Sequence, residues 1–262
     1  MKQPWVVPAV DKPDYVEYAN LVANKYGLRF RMRYGRTIHQ LLQELESPLL
    51  VANQQGCYYR SEHSILRYHM GLAPLRLLQL QRGKHDYLLD ALSLIGHETV
   101  LDATFGFGAD SYVIASALQD THARIIGLES SAPIYYLASE GLLHYIDETG
   151  FVTKELRQKI DLFHMNHGAY LEQADTGSVD IVYFDPMFIR PVEGSVHMEG
   201  IRNYGNKSLL HPDVVAMAKK VAKKRIVIKE RRQSDFWLKH PADEYVGGKY
   251  SNIVYGVIYC ES

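Results

Sequence analysis

The sequence predicts an α/β protein: a mostly parallel, doubly wound sheet with a C-terminal antiparallel strand, preceded by a small N-terminal α/β lobe. Three observations carry this. From Thr99 onward the apolar runs TVLDAT (99–104), RIIGLE (124–129), KIDLFHM (159–165), VDIVYFD (179–185) and RIVIK (225–229) alternate with amphipathic segments at 109–118, 132–146, 167–173 and 208–224. Near-continuous apolar strands separated by helices belong to a parallel sheet covered on both faces. The first run ends in a glycine-rich turn that feeds a helix, and such sheets take their ligands beyond the C-terminal ends of the strands. The last run, IVYGVIY (253–259), follows no long helix and is expected to pair antiparallel.

The residues before this pattern form the lobe. Residues 14–26 carry apolar side chains at helical spacing, with Gly27 as the stop. In RFRMRY, Arg29, Arg31 and Arg33 alternate with Phe30, Met32 and Tyr34, which predicts a half-buried strand with an open arginine face. Thr37 is a candidate N-cap for a helix over 37–46, and 48–53 with 56–60 suggest a hairpin. A helix over about 64–81 is expected to lead into the main domain, so the domains are placed at 1–82 and 83–262.

Composition narrows the function classes. Of the 262 residues 47% are hydrophobic and 23% charged, which excludes a disordered or collagen-like chain. No run of 18 apolar residues exists and the N-terminus does not read as a signal peptide, so the expected site of action is cytoplasmic, away from membranes. The two cysteines, Cys57 and Cys260, fit a reduced compartment. The histidines lack partners at ligand spacing, so no metal is expected. A net charge of −1 means that any nucleic acid must be held by local patches.

The chemistry-bearing residues cluster at the predicted strand ends. In VLDATFGFGAD (100–110), Gly106 and Gly108 permit a tight turn and a close ligand approach. Ser111 stands where a dinucleotide fingerprint needs its last glycine, which argues against a pyrophosphate cradle and a nicotinamide-dependent oxidoreductase. Asp102 is placed to meet a cationic methionine moiety, and Thr104 lies in the same turn. Glu129, at the end of the second strand, can accept both hydroxyls of a ribose; the alternative is that it caps the following helix. These features predict S-adenosylmethionine (SAM).

At the fourth strand end stands Tyr183-Phe184-Asp185-Pro186-Met187-Phe188. An acid, a proline and an aromatic there suit methyl transfer to a planar exocyclic nitrogen. The Asp185 carboxylate and the Pro186 carbonyl would accept its N–H groups, and Phe188 would stack on the base. Rate would come from alignment, since the proton can leave after transfer. Asn166 and His167 either contact the adenine edge or cap the next helix. The stretch after Phe188, with Arg190, is expected to be a lid over the substrate. Basic residues gather at Lys219, Lys220, Lys223, Lys224, Arg225, Lys229, Arg231 and Arg232; with Arg29, Arg31, Arg33 and Arg36 they are candidate phosphate contacts.

DATFGFGAD, GLESS, YFDPMF and KRIVIKERR, in that order, resemble the RsmJ-type bacterial methyltransferases over roughly residues 95–260. The resemblance implies a Rossmann-like class I methyltransferase fold and SAM as cofactor. It further implies methylation of a guanine N2 in small-subunit ribosomal RNA, with the ribosomal RNA or the small subunit as partner. It would place SAM contacts at Ala109, Asp110, Glu129, Ser130, Asn166, His167 and Asp185, while the acceptor-site residues read from the motif are Asp185, Pro186, Met187 and Phe188. Ala109 replaces an arginine typical of that family, Asn166 and His167 replace paired serines, and the N-terminal lobe differs from theirs. Two alternatives stay open: a protein or small-molecule nitrogen as acceptor, and a non-catalytic SAM- or RNA-binding assembly factor.

Overall fold

The computed structural model describes residues 2–53, 56–145, 147–186, 204 and 210–260. They form two compact units. The smaller holds the residues up to His69 together with Pro133–Ile146 and Tyr204, and the larger begins at Met70. The division therefore falls earlier than 82/83, because 64–81 is not one helix. Ile65–Arg67 is a strand of the small sheet, Gly71 turns the chain at φ +54, and the helix starts at Ala73 with Pro74 in its first turn.

The smaller unit contains β1 (Trp5–Pro8), α1 (Pro13–Tyr26), β2 (Arg29–Phe30), α2 (Ile38–Leu45), β3 (Leu49–Asn53), β4 (Gly56–Arg60) and β5 (Ile65–Arg67). The sheet order is β2-β1-β3-β4-β5, with β1 parallel to both neighbours and β3–β4 the expected antiparallel pair. Gly27 ends α1 at φ +62, its N–H bonded to the Ala23 carbonyl, while Thr37 and Gln40 form a reciprocal capping box on α2. Val7, Leu41, Leu42, Leu49 and Val51 make the core. The helix over Ala132–His144 lends this unit Glu140, a buried carboxylate. It accepts Tyr18 Oη at 2.5 Å, Tyr26 Oη at 2.6 Å and Lys25 Nζ at 2.8 Å, all from α1.

The strand predicted over 29–34 is only two residues long. Arg31 donates its N–H to Val6, and then Tyr34 and Gly35 turn at positive φ. The arginines are engaged locally, although Arg29 stays exposed. Arg31 and Arg36 share Glu44 at 2.7 and 2.8 Å, Arg33 donates to the Ala9 and Arg36 carbonyls, and Arg29 lies over the Trp5 ring.

The larger unit runs α3 (Ala73–Gln81), α4 (Tyr87–Leu92), β6 (Thr99–Asp102), α5 (Ala109–Ala117), β7 (Arg124–Glu129), then, after the helix already described (α6), α7 (Lys154–Gln158), β8 (Ile160–His164) and α8 (His167–Gln173). It continues with β9 (Val179–Phe184), α9 (Pro212–Val221), β10 (Ala222–Arg231), α10 (Phe236–Lys239), β11 (Glu244–Val246) and β12 (Ile253–Tyr259). The seven-stranded sheet has the order β11-β12-β10-β9-β6-β7-β8. Strands β10, β9, β6, β7 and β8 are parallel, and β12 runs antiparallel between β10 and β11. Leu101, Val182, Phe184, Ile226 and Ile228 are fully buried in one core cluster. The strand order reverses at β6–β9, where Asp102 lies opposite Tyr183. A crevice at that switch point is where such a sheet takes its ligand.

Candidate active site at the sheet switch point

The turn after β6 is shaped by its own phenylalanine. A Cβ on Gly108 or on Gly127 of β7 would lie 2.4 Å from the Phe105 ring, so both glycines make room for that ring. The expectation that Gly108 clears the way for a ligand is corrected here. Gly106 is different: at φ +57 its Cβ would meet nothing within 4 Å.

Two buried carboxylates face this turn. Asp102 accepts Ser111 Oγ at 2.6 Å and the Thr104 N–H at 3.2 Å. Burial pushes its pKa up to about 7, with Asp110 and Asp185 adding to the shift. Glu129 accepts the N–H of Gly106 at 3.0 Å on one oxygen and that of Ser131 at 2.6 Å on the other. Burial pushes it to about 7 as well. An ionised carboxylate offers about four acceptor sites, so these two bonds leave room for two more donors. The Ser131 hydroxyl is buried without a hydrogen-bond partner among the described residues.

An ionic chain crosses the site from α3 to β10. Arg76 holds Asp86 through two bonds, at 2.7 and 2.8 Å, and also donates to Asp110 Oδ1. Asp110 Oδ2 accepts Tyr183 Oη at 2.7 Å and Lys229 Nζ at 3.2 Å. Lys229 Nζ reaches Asp185 Oδ2 at 2.8 Å, and the Asp185 N–H donates to Thr104 Oγ1 at 2.6 Å. Burial opposes ionisation of Asp110, but Lys229 and Arg76 outweigh it and hold the carboxyl well below the usual range. For Asp185 burial wins, assisted by Asp110 against Lys229, and its pKa is raised. Tyr255, paired with Lys229 across β12 and β10, adds to the same field.

Asn166 caps α8, its side-chain oxygen accepting the Gly168 N–H at 2.8 Å. His167 sits edge-on to Phe184 and interacts with the Ala103 backbone, and burial lowers its pKa. Ala109 opens α5, and Ser130 follows Glu129. Pro186 is the last described residue of its segment; Met187, Phe188 and Arg190, and the expected lid, lie outside the described residues.

The basic cluster divides. Lys223 and Lys224, near Asp180 and Glu98, lie at the start of β10, and Lys229 to Arg231 end it. Seven residues of strand separate Lys224 from Arg231, about 23 Å. The lysines from 219 to 224 thus stand far from the crevice, and Lys229 is spent on acids inside it. Arg232 donates to the carbonyls of Gly248 and Ser251, at 3.0 and 3.3 Å. Sequence reasoning missed Arg76, Tyr183, Tyr255 and Ser131; each is fixed by a partner distant in the chain or by burial, which local patterns do not encode.

A family model for SAM-dependent methyltransferases matches residues 65–252, more than half of the chain. The chain belongs to this family of SAM-dependent methyltransferases. The uncharacterized protein YpiP of Bacillus subtilis (strain 168) is 29% identical over 223 residues, covering 84% of this chain and 85% of that protein. Ribosomal RNA small subunit methyltransferase J of Alteromonas mediterranea is 24% identical over 240 residues, covering 88% of each chain. The crystal structure of a SAM-dependent methyltransferase from Neisseria gonorrhoeae superposes with a TM-score of 0.63 at 19% identity, covering 97% of this chain and 95% of that one. That superposition shows the same class I methyltransferase fold.

The residues of this methyltransferase fit its cofactor. SAM carries a sulfonium and an ammonium against one carboxylate, a single net positive charge. Asp86 neutralises Arg76, leaving Lys229 against Asp110 and Asp185, so the cluster is anionic even before Asp102 is counted. Among the described residues no group of three or more His, Cys, Asp or Glu is placed to hold a metal ion, and no helix is long and apolar enough to cross a membrane.

Proposed function

We propose that this methyltransferase modifies the exocyclic N2 amine of a guanine in small-subunit ribosomal RNA, with Asp185 and Pro186 forming the acceptor site. The observation that carries this reading is Asp185 at the end of β9, tied through its N–H to Thr104 and through its carboxylate to Lys229. Those bonds fix a carboxylate beside the crevice with acceptor sites to spare. The curated relatives named as ribosomal RNA small subunit methyltransferase J support the substrate class.

SAM supplies an electrophilic methyl group on a sulfonium sulfur. The Glu129 carboxylate would take the ribose hydroxyls, with Ser130 and the Ser131 hydroxyl beside it. Asn166 and His167 would border the adenine. Asp102, Thr104, Gly106, Ala109 and Asp110 would line the methionine end. Asp185 and the Pro186 carbonyl accept the two N–H groups of the amine and turn its lone pair toward the methyl carbon. Transfer would leave an extra proton on the nitrogen, which Asp185 or water would take up. Alignment of the three atoms supplies most of the rate.

The test incubates the purified protein with methyl-labelled SAM and small ribosomal subunits from cells lacking this gene. The expected result is label in RNA, at a guanine N2 by nucleoside mass spectrometry, and its loss in Asp185→Ala while SAM binding persists. Label in protein instead of RNA would move the acceptor to a polypeptide. SAM binding with no transfer to either would leave a non-catalytic module.

A further inference from the structure

We propose that the rim formed by the turn 82–87 and the loop 247–252 is a docking surface for single-stranded RNA, with Tyr250 as a stacking platform for a base flanking the target. This rests on the RNA-substrate reading above. Tyr250 is 91% exposed and so adds nothing to the core. Lys249 Nζ stands 5.6 Å from its ring centroid, which joins a cation to an exposed aromatic face. That pairing binds single strands regardless of sequence, because each base has a face to stack and each nucleotide a phosphate.

The loop is held at both ends. Arg232 fastens Gly248 and Ser251 by their carbonyls, its own N–H bonds to Asn252 at 2.8 Å, and Ser251 bonds back to Gly248 at 2.9 Å. A Cβ on Gly248 would lie 3.3 Å from Tyr87 Oη, so the loop abuts the second, half-exposed tyrosine. Tyr87 packs edge-on against His85, whose neighbours Arg82 and Lys84 are exposed. The acids near this rim are paired: Asp86 with Arg76 at 2.7 Å, and Asp90 with the His85 ring at 2.9 Å.

Both segments are tied to the crevice. Asp86 is joined to Asp110 through Arg76, and Ile253 pairs with Arg231, two residues or about 7 Å along β10 from Lys229. A strand whose target base enters the crevice therefore crosses this rim with its neighbouring nucleotide.

The test measures binding of a fluorescein-labelled single-stranded RNA of about 12 nucleotides by anisotropy, beside SAM binding by calorimetry. Tyr250→Ala is expected to weaken RNA binding by about fivefold to a hundredfold, the span of one base–aromatic stack. Tyr250→Phe should retain binding, and Lys249→Ala should reduce the salt slope by about one. SAM affinity should stay unchanged in all three. Tyr259→Ala, at the other end of β12, is the control and should bind RNA normally. Wild-type RNA affinity in Tyr250→Ala, or equal weakening in Tyr259→Ala, would overturn the rim while leaving RNA as substrate. A wild-type protein that binds SAM but no RNA would overturn the RNA reading itself, and the rim with it.

Discussion

The Lys229 ammonium stands 2.8 Å from the Asp185 carboxylate, and it is shared with Asp110 at 3.2 Å. It is the cation that opposes the upward shift which burial and Asp110 impose on the Asp185 carboxyl. Lys229→Met removes it, so the Asp185 pKa rises further and the carboxylate is protonated over a wider pH range. The expected result is a kcat/KM lowered by about tenfold to a hundredfold at neutral pH, with the acid limb of the profile moved up and partial recovery in alkali. Stability should fall by about 2–3 kcal/mol, below the fully buried range because Lys229 is partly exposed. Lys229→Arg should restore the limb. A limb that stays in place in Lys229→Met would remove Lys229 from this role.

Asp102 is expected to couple cofactor binding to pH. Its folded-state pKa, about 7, lies above the ordinary aspartate value, so the folded protein keeps a proton that the unfolded chain has released. Stability from this group is full below about pH 4 and is lost as pH rises through about 7. A cationic ligand favours the ionised form, so SAM binding should release a proton and tighten as pH rises through the same window. Calorimetry in buffers of different ionisation enthalpy reads that proton directly. Asp102→Asn is expected to raise the melting temperature at pH 8, weaken SAM binding and abolish part of the proton release. Unchanged proton release would detach Asp102 from the cofactor.

What was legible in the sequence is what short-range pattern encodes. The apolar runs located the five parallel strands and IVYGVIY the antiparallel one, because burial on both faces leaves a continuous apolar signature. Asp102, Glu129 and Asp185 were legible as strand-end acids. Their partners were not: Arg76 precedes Asp110 by 34 residues and Lys229 follows it by 119. The arginines at 29–33 misled because alternation announces a face but not the Glu44 carboxylate and Ala9 carbonyl that occupy it. Gly108 misled in the same manner, since glycine shows that space is needed and not what fills it.

That distinction is testable at the three glycines. Gly108→Ala and Gly127→Ala force a Cβ into the Phe105 ring at 2.4 Å and should each destabilise by about 2–3 kcal/mol. Phe105→Leu, by vacating part of that space, should relieve Gly127→Ala in a double-mutant cycle. Gly106→Ala meets no atom and carries only the strain of its positive φ, about 1–2 kcal/mol. Its larger effect should be on SAM affinity, because the methyl group enters open space beside Glu129. Equal losses of stability at Gly106 and Gly108, with SAM affinity intact, would contradict the assignment.

Ser131 gives a prediction in which stability and binding move in opposite directions. Its hydroxyl is buried and unpaired among the described residues, two positions from the Glu129 carboxylate that accepts its N–H. A buried hydroxyl without a partner costs about 1–3 kcal/mol, and a well-folded protein keeps one where a ligand completes it. Ser131→Ala should therefore leave the free protein equally stable or more stable, by thermal melting without SAM. It should also weaken SAM binding by about fivefold to tenfold, the worth of one hydrogen bond. Adenosine, which retains the ribose but lacks the methionine, should lose affinity by a similar factor, since the lost contact lies at the sugar end. Undiminished affinity for both ligands would mean that the hydroxyl faces no cofactor, and that Glu129 alone serves the ribose.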